Sequence, residues 1–432
     1  MRFSAALLAI SVSALVACGG SDDLTGDTPG ADGGGTGGEG GTSNPDGGTP
    51  NGGDGGSPTD DGGASTGLHV VPGTGGAPGH IVDSSGKTVQ FHGVDRSGTE
   101  DTCDYGDAFD VPVDQAAVDK IKSWNANAVR VPLNEDCWFG INGVTTGGAA
   151  YKSAIATYVD LLSSNGLYVI LDLHWAAPGT QKAQGQLGMA DADHSPQFWT
   201  EIATTYGNRP NIVFDLFNEP FITDWDCWLI GGTCAKDYSN ATYQAAGMAT
   251  LLKAVRSAGA KNVVMMGGLS YSSQFDKWVE EVNKIPTLGA PNDGLTTENV
   301  VASWHTYGSQ SVQTMCPSQY NGYDASLHCV NGTDNAKNYG IDKVLAAGFS
   351  VVTGEIGIDT YASNPSPYST TQAGYLTTWL DSTLTYLDGQ GQSYLAWDWN
   401  TQAPPILLSN FDGTPTPYFG VTYKTHLAAL PK

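Results

Sequence analysis

The sequence predicts an α/β chain closed into a (β/α)₈ TIM barrel behind a disordered Gly-rich tether, and three observations predict it. Eight short, apolar, β-rich runs recur roughly every 40–50 residues from Val89 onward, with helix-like stretches between them. Most runs are continuously hydrophobic rather than alternating, the pattern of parallel strands buried on both faces. Eight strand–helix units favour closure into a barrel over an open, doubly wound sheet.

The chain begins with an export signal. Met1-Arg2 supplies a positive start, an apolar run extends through Val16, and small residues precede Cys18. The run is too short to span a bilayer. Leu15-Val16-Ala17-Cys18 resembles a bacterial lipobox, so residues 1–17 are expected to leave as a lipoprotein signal peptide with Cys18 lipidated. An ordinary cleaved signal peptide is the rival. Gly19-Gly20 carries no Asp, which favours an outer-membrane lipoprotein, within the broader expectation of export to the cell envelope or the extracellular side.

Residues 18–67 form the tether. Positions 19–67 hold 20 of the 57 Gly and nine acidic residues, with no Trp, Tyr, Phe, Lys or Arg. Such a stretch buries too little apolar surface to offset its ordering entropy. Residues 68–432 remain, 365 positions, which suits one catalytic barrel. The formal charge is −25 for the chain and −17 for residues 68–432. Nucleic acid and anionic lipid faces would be repelled, so no nucleic-acid partner is expected and membrane contact only through the anchor. A neutral or cationic substrate fits, and a monomer is expected.

Seven Cys are present; setting Cys18 aside leaves an even six, as in an oxidised, exported protein. Cys227–Cys234 and Cys316–Cys329 each fall within one predicted loop, which leaves Cys103–Cys137 as the third bridge. Six Cys allow 15 pairings, so the pairing is an expectation. No CxxC or HExxH spacing supports a metal site.

Along the barrel, His80–Thr88 carries a Ser-Ser-Gly turn and is expected to form a hairpin closing the base. The strands follow as Val89–Val94, Ala128–Leu133, Tyr168–His174, Ile212–Asn218, Val263–Gly267, Val300–His305, Ser350–Glu355 and Ser393–Trp399. Helices are read over Asp114–Trp124, Ala149–Ser164, Pro196–Tyr206, Asn240–Ser257 and Thr370–Leu387. Arg130, His174, Glu219, His305, Glu355 and Trp397 all fall at or near strand C-termini, which a barrel gathers on one face. Six such strand ends would be costly without a purpose.

Glu219, in Asn218-Glu219-Pro220, leaves an apolar wall that favours a proton-holding carboxyl. Glu355, in Thr353-Gly354-Glu355-Ile356-Gly357, is flanked by glycines that allow close approach to a sugar. Two carboxyls about 5 Å apart across a glycosidic bond define retaining double displacement, one as nucleophile and one as acid/base. Arg130 is expected to hold Glu355 ionised, His305 to orient the acid, and Tyr307 the nucleophile. His174 is expected to donate to substrate hydroxyls, with a satisfied core His as the alternative. Trp397 and Trp399 offer a face on which a sugar ring stacks. Trp138, Trp175, Trp225 and Trp228 either extend that platform or belong to the core.

The motifs FHGVDRSG (91–98), VRVPL (129–133), LDLHW (171–175), FNEP (217–220), WHTYG (304–308), TGEIG (353–357) and AWDWN (396–400) together resemble glycoside hydrolase family 5, the cellulase/mannanase family. The resemblance spans roughly Ile81–Leu427. It implies Glu219 as acid/base, Glu355 as nucleophile, and Arg130, His174, Asn218, His305, Tyr307 and Trp397 as substrate-binding or supporting residues. Asn218 would contact the sugar 2-hydroxyl, and Trp399 competes with Trp397 for the stacking position. Asp95 departs from the Asn of many members. No metal or organic cofactor is implied. The expected substrate is a β-linked polysaccharide, first a β-1,4-glucan cut internally. Mannan, another β-glycan or exo-action stands behind that, and a non-catalytic carbohydrate-binding barrel is the alternative of another class.

Overall fold

The computed structural model describes residues 67–235, 241–292, 294–308, 336–337, 339–358, 370–402 and 404–431. The expected signal peptide, Cys18, nearly all of the tether and the Cys316–Cys329 pair lie outside the described residues. Eight parallel strands close into a barrel. We number them β1 (His92–Asp95), β2 (Ala128–Asn134), β3 (Tyr168–Trp175), β4 (Ile212–Asp215), β5 (Val264–Gly267), β6 (Val300–Tyr307), β7 (Val351–Gly357) and β8 (Ser393–Ala396). Each strand pairs with its neighbour in sequence, and β8 returns to β1 through Tyr394↔His92 and Ala396↔Val94.

All eight predicted runs are strands, displaced at their ends. β4 stops at Asp215, although Leu216 and Asn218 still donate backbone hydrogen bonds to Met265 and Leu173. β7 runs on to Gly357, and β8 stops at Ala396 before either tryptophan of AWDWN. Helices form at Gln115–Ser123, Ala149–Ser164, Ser195–Tyr206 and Thr370–Gly389, close to expectation.

The stretch read as one helix over Asn240–Ser257 divides instead. Thr242–Ala246 pairs with Gly231–Ala235 in an antiparallel hairpin, and the helix begins at Met248. Gly247 explains the break: a Cβ there would lie 2.4 Å from the Leu229 carbonyl oxygen and 2.5 Å from the Gly231 nitrogen, an approach that only glycine permits.

Strand parity separates two layers. Val129, Val131, Leu133, Val169, Leu171 and Leu173 point outward into the main core against the helices. Ala128, Ile170, Val213, Val301, Val352 and Leu395 point into the barrel base, where Leu68, Ile81, Val89 and Phe91 plug it. The expected base hairpin is present in modified form. Asp83 accepts the turn bonds, Val82 bridges Thr88, and His80–Val82 pairs mainly with His69–Val71. One layer above this apolar plug, the same inward parity carries Arg130, Asp172, Asp215 and Ser303, so the polar centre begins at half height.

Candidate active site

Arg130 is the hub of the barrel's upper half and is wholly buried. Its guanidinium lies 2.9 Å from Glu355 Oε1 and 3.1 Å from carboxylate oxygens of Asp95, Asp172 and Asp215. It also donates to Asn218 Oδ1 at 2.9 Å. Burial works against the charge of Arg130, but four neighbouring carboxyls outweigh it and hold the guanidinium firmly protonated. One cation among four carboxyls cannot satisfy them all. Burial pushes Asp172 and Asp215 each up to about 7, against the pull of Arg130. Asp95 rises well above the usual carboxylate range for the same reason.

Glu355 ends in the grip of Arg130 on Oε1 and of the Tyr307 hydroxyl, which donates to Oε2 at 2.5 Å. Glu219 is held differently. His305 Nδ1 lies 3.1 Å from its Oε1, and the side-chain amide of Gln186 donates to its Oε2. Burial pushes Glu219 up to about 7, with His174 the largest opposing influence. Burial also pulls His305 down to about 3, so its ring is neutral at working pH. Glu219 sits at φ 50°, in the left-handed region where a non-glycine residue costs on the order of 1–3 kcal/mol. That strain lies at the residue whose carboxyl must leave β4 and face β7. An oxygen of Glu219, an oxygen of Glu355 and a nitrogen of His305 all lie within 4.8 Å of one another.

The glycines that flank Glu355 make room for neighbouring side chains. A Cβ on Gly354 would sit 2.8 Å from both His305 Nε2 and Ser303 Oγ, and a Cβ on Gly357 2.9 Å from the Tyr307 ring. The missing Cβ atoms leave room for His305 and Tyr307, which hold Glu219 and Glu355, and on Gly357 also for Pro405 at 2.8 Å.

His174 faces Asp172 Oδ2 through Nδ1 at 2.7 Å and Asn218 Nδ2 through Nε2 at 3.4 Å. Burial, then Arg130, lowers it to about 4, so the ring is neutral. Both nitrogens meet protein partners, which sets the geometry apart from the expected donor to a substrate hydroxyl. Trp397 is half-buried and stacks on His174 with centroids 5.2 Å apart and planes 10° apart. Trp399 is buried edge-on against Trp124 at 4.8 Å. Period-two alternation would give them one face, but the strand ends before both. Trp138, Trp225 and Trp228 are core residues, while Trp175 remains half-buried.

The structure pairs Cys103 with Cys137 and Cys227 with Cys234, each with Cα atoms 5.9 Å apart. Cys227 lies in the helix Trp225–Ile230 and Cys234 in the following hairpin, not within one loop. Sequence reasoning does not reach Gln186, which sits in a long β3 loop without a motif. Asp172 and Asp215 carried a usable signal, since each occupies an inward strand position next to an apolar one.

Two groups among the described residues have metal-ligating atoms within 4.8 Å: the Glu219, His305, Glu355 set, and Glu135, Asp191 and His194. Motif spacing does not find either, because the first set joins three distant positions and the second needs Glu135 beside Asp191 and His194. In the second, Ser195 Oγ lies 2.8 Å from Glu135 and 2.9 Å from Asp191, and the Ala177, Asp193 and His194 amides donate to the same carboxyls. N–H and O–H donors already occupy that set.

Residues 82–403 match the family model described as cellulase, glycosyl hydrolase family 5. Cellulase CelDZ1 of Thermoanaerobacterium sp. is 25% identical over 279 residues, 64% of this chain and 58% of that protein. Endoglucanase MaCel5A of Microbulbifer sp. (strain ALW1) is 32% identical over 105 residues, 24% of this chain and 18% of that protein. The chain thus spans less than two thirds of these relatives' lengths. A solved hyperthermophilic endocellulase from the archaeon Pyrococcus horikoshii superposes with TM-score 0.59 at 18% identity, covering 84% of this chain and 99% of that one. The barrel, the carboxyl pair on its upper face and the match over most of the sequence lead to one conclusion: the chain belongs to glycosyl hydrolase family 5, the cellulase family.

Proposed function

We propose that this protein hydrolyses internal bonds of a β-1,4-glucan with retention of anomeric configuration. One observation carries the reading: two carboxyls come within 4.8 Å of each other, Glu219 hydrogen-bonded to His305 and Gln186 and Glu355 to Arg130 and Tyr307, with His305 between them. Retaining glycosidases hold their carboxyls about 5–5.5 Å apart, and inverting ones about 6.5–9.5 Å apart to admit a water. The cellulase and endoglucanase names of the relatives support the choice of β-glucan.

The chemistry follows from the environments. Glu355, facing Arg130 and Tyr307, attacks the anomeric carbon as a carboxylate. Glu219, desolvated and protonated up to about pH 7, gives its proton to the departing glycosidic oxygen. Glu219 is then ionised and takes a proton from water as that water attacks the anomeric carbon and displaces Glu355. Both carboxyls end as they began. His305 keeps Glu219 in place without competing for the proton, because its ring is neutral. His174 fixes Asn218, whose amide would meet the sugar 2-hydroxyl, and Trp397 supplies the stacking face.

We extend the reading to the chain's organisation. Residues 1–17 direct export, Cys18 carries lipid, residues 18–67 tether the barrel, and the enzyme works as a monomer at the envelope surface. Cys18→Ser should move the protein from membrane to soluble fractions; unchanged partitioning would contradict the anchor. The activity is tested on a polysaccharide panel, reading viscosity loss against new reducing ends and the first-formed anomer by NMR. A rapid viscosity drop on β-1,4-glucan with β-anomer product is expected. Activity confined to mannan would overturn the substrate, and an α-anomer the mechanism.

A further inference from the structure

We infer that Gln186 is a positioning residue for Glu219, held at the lip of the cleft by a polar clamp built around the Cys103–Cys137 disulfide; the inference rests on Glu219 being the acid/base. Two groups hold the two oxygens of that carboxyl separately: His305 on Oε1, and the Gln186 amide on Oε2. Gln186 is itself exposed, so it fixes a geometry only if its backbone is fixed.

The loop is pinned on both sides, by contacts to its backbone and to two of its side chains. Asn142 Nδ2 donates to the Gly179 and Gln181 carbonyls at 3.3 and 3.0 Å. Asp136 accepts from the Ala183 amide at 2.9 Å, while Asn134 donates to the Ala183 carbonyl at 2.7 Å. Asp104 receives Lys182 Nζ at 2.9 Å and Gln184 Nε2 at 2.5 Å. Beyond Gln186, Leu187 is buried, and the Met189 amide donates to the Tyr243 hydroxyl at 2.8 Å. Asp104 and Asp136 are the sequence neighbours of Cys103 and Cys137, so the disulfide fastens the two carboxylates that grip residues 182–184. An exposed loop needs none of this to close a barrel. The chain of contacts ends on the one carboxyl that must hold a proton and then release it.

A donor on a carboxylate stabilises its charged form. Gln186 therefore opposes the burial that raises Glu219, and keeps the group able to give its proton up. The test uses the full-length protein on a β-1,4-gluco-oligosaccharide and on a dinitrophenyl β-cellobioside, whose leaving group needs little protonation. Gln186→Ala should move the alkaline limb of kcat/KM up by about 0.7 pH unit on the oligosaccharide, the equivalent of one ordinary hydrogen bond. Its loss of kcat/KM should nearly vanish on the dinitrophenyl substrate. Gln186→Glu should move the same limb further, since a second carboxylate repels the ionised acid. Glu219→Ala is the control and should lose the oligosaccharide but keep most kcat/KM on the dinitrophenyl substrate. If that control behaves so while both Gln186 variants keep the parent limb, the positioning role is overturned. If Glu219→Ala loses both substrates alike, the acid/base reading itself fails.

Discussion

Replacing Arg130 with Met keeps the volume of the hub and removes the cation that, among the described residues, faces four carboxyls. Arg130 and Asp95, Asp172 and Asp215 are at most 1% exposed and Glu355 is 4% exposed, so water cannot compensate. Removing one partner of a buried ion pair costs about 3–5 kcal/mol. For a 365-residue domain with an unfolding entropy of about 2.1 cal/mol/K per residue, that loss lowers Tm by about 4–7 °C. The pH dependence has a definite sign. Asp95, Asp172 and Asp215 already titrate above their unfolded values, and losing Arg130 raises them further. The folded state then binds more protons than the unfolded one, so stability is present below about pH 4 and is lost as pH rises through the folded values. The gap between Arg130→Met and the parent should be small near about pH 4 and widen toward about pH 8. Calorimetric scans across that range measure it. A gap constant with pH, or a variant as stable as the parent at about pH 8, would refute the account of the hub.

Three further outcomes follow from the same geometry. Glu355→Gln should cut turnover by at least about a thousandfold while Tm, read at about pH 8 where Asp172 and Asp215 are ionised and still face Arg130, stays level or rises; a fall of several degrees at that pH would contradict that balance. The alkaline limb of kcat/KM should lie near 7, where Glu219 titrates, with activity falling as pH rises through it; a limb near an ordinary carboxylate value of about 4.3 would speak against a desolvated acid. Trp397→Ala should raise KM at nearly constant Tm, whereas Trp399→Ala should cost about 3–5 kcal/mol of stability with KM little changed, both read by steady-state kinetics and calorimetry.

The barrel was legible because its strands are buried on both faces and therefore read as apolar runs of uniform spacing. The polar residues that end those runs were legible as site candidates for the same reason: a charge such as Arg130 or Glu355 at the end of VRV or VVTG has no place in a core. Strand alternation carried as far as His305 and Tyr307, which share a face in one regular strand. It failed at Trp399, where β8 had already ended. Gln186 was out of reach, because its place depends on Asp104 and on the Asp136–Asn142 stretch, which lie 82 to 44 residues before it and meet its loop only in the folded barrel. The division of Asn240–Ser257 was hidden likewise, since it turns on a backbone contact between Gly247 and Leu229 that local propensity does not encode.

Mass analysis after incubation with a 2-deoxy-2-fluoro-β-cellobiosyl fluoride addresses the central chemistry most directly. The fluorine slows release of a glycosyl–enzyme species, so a carboxylate nucleophile accumulates as an ester. The account predicts one added cellobiosyl unit, located by peptide mapping on Glu355 and absent from Glu355→Gln. A label on Glu219, or full hydrolysis of the reagent without any covalent species, would contradict it.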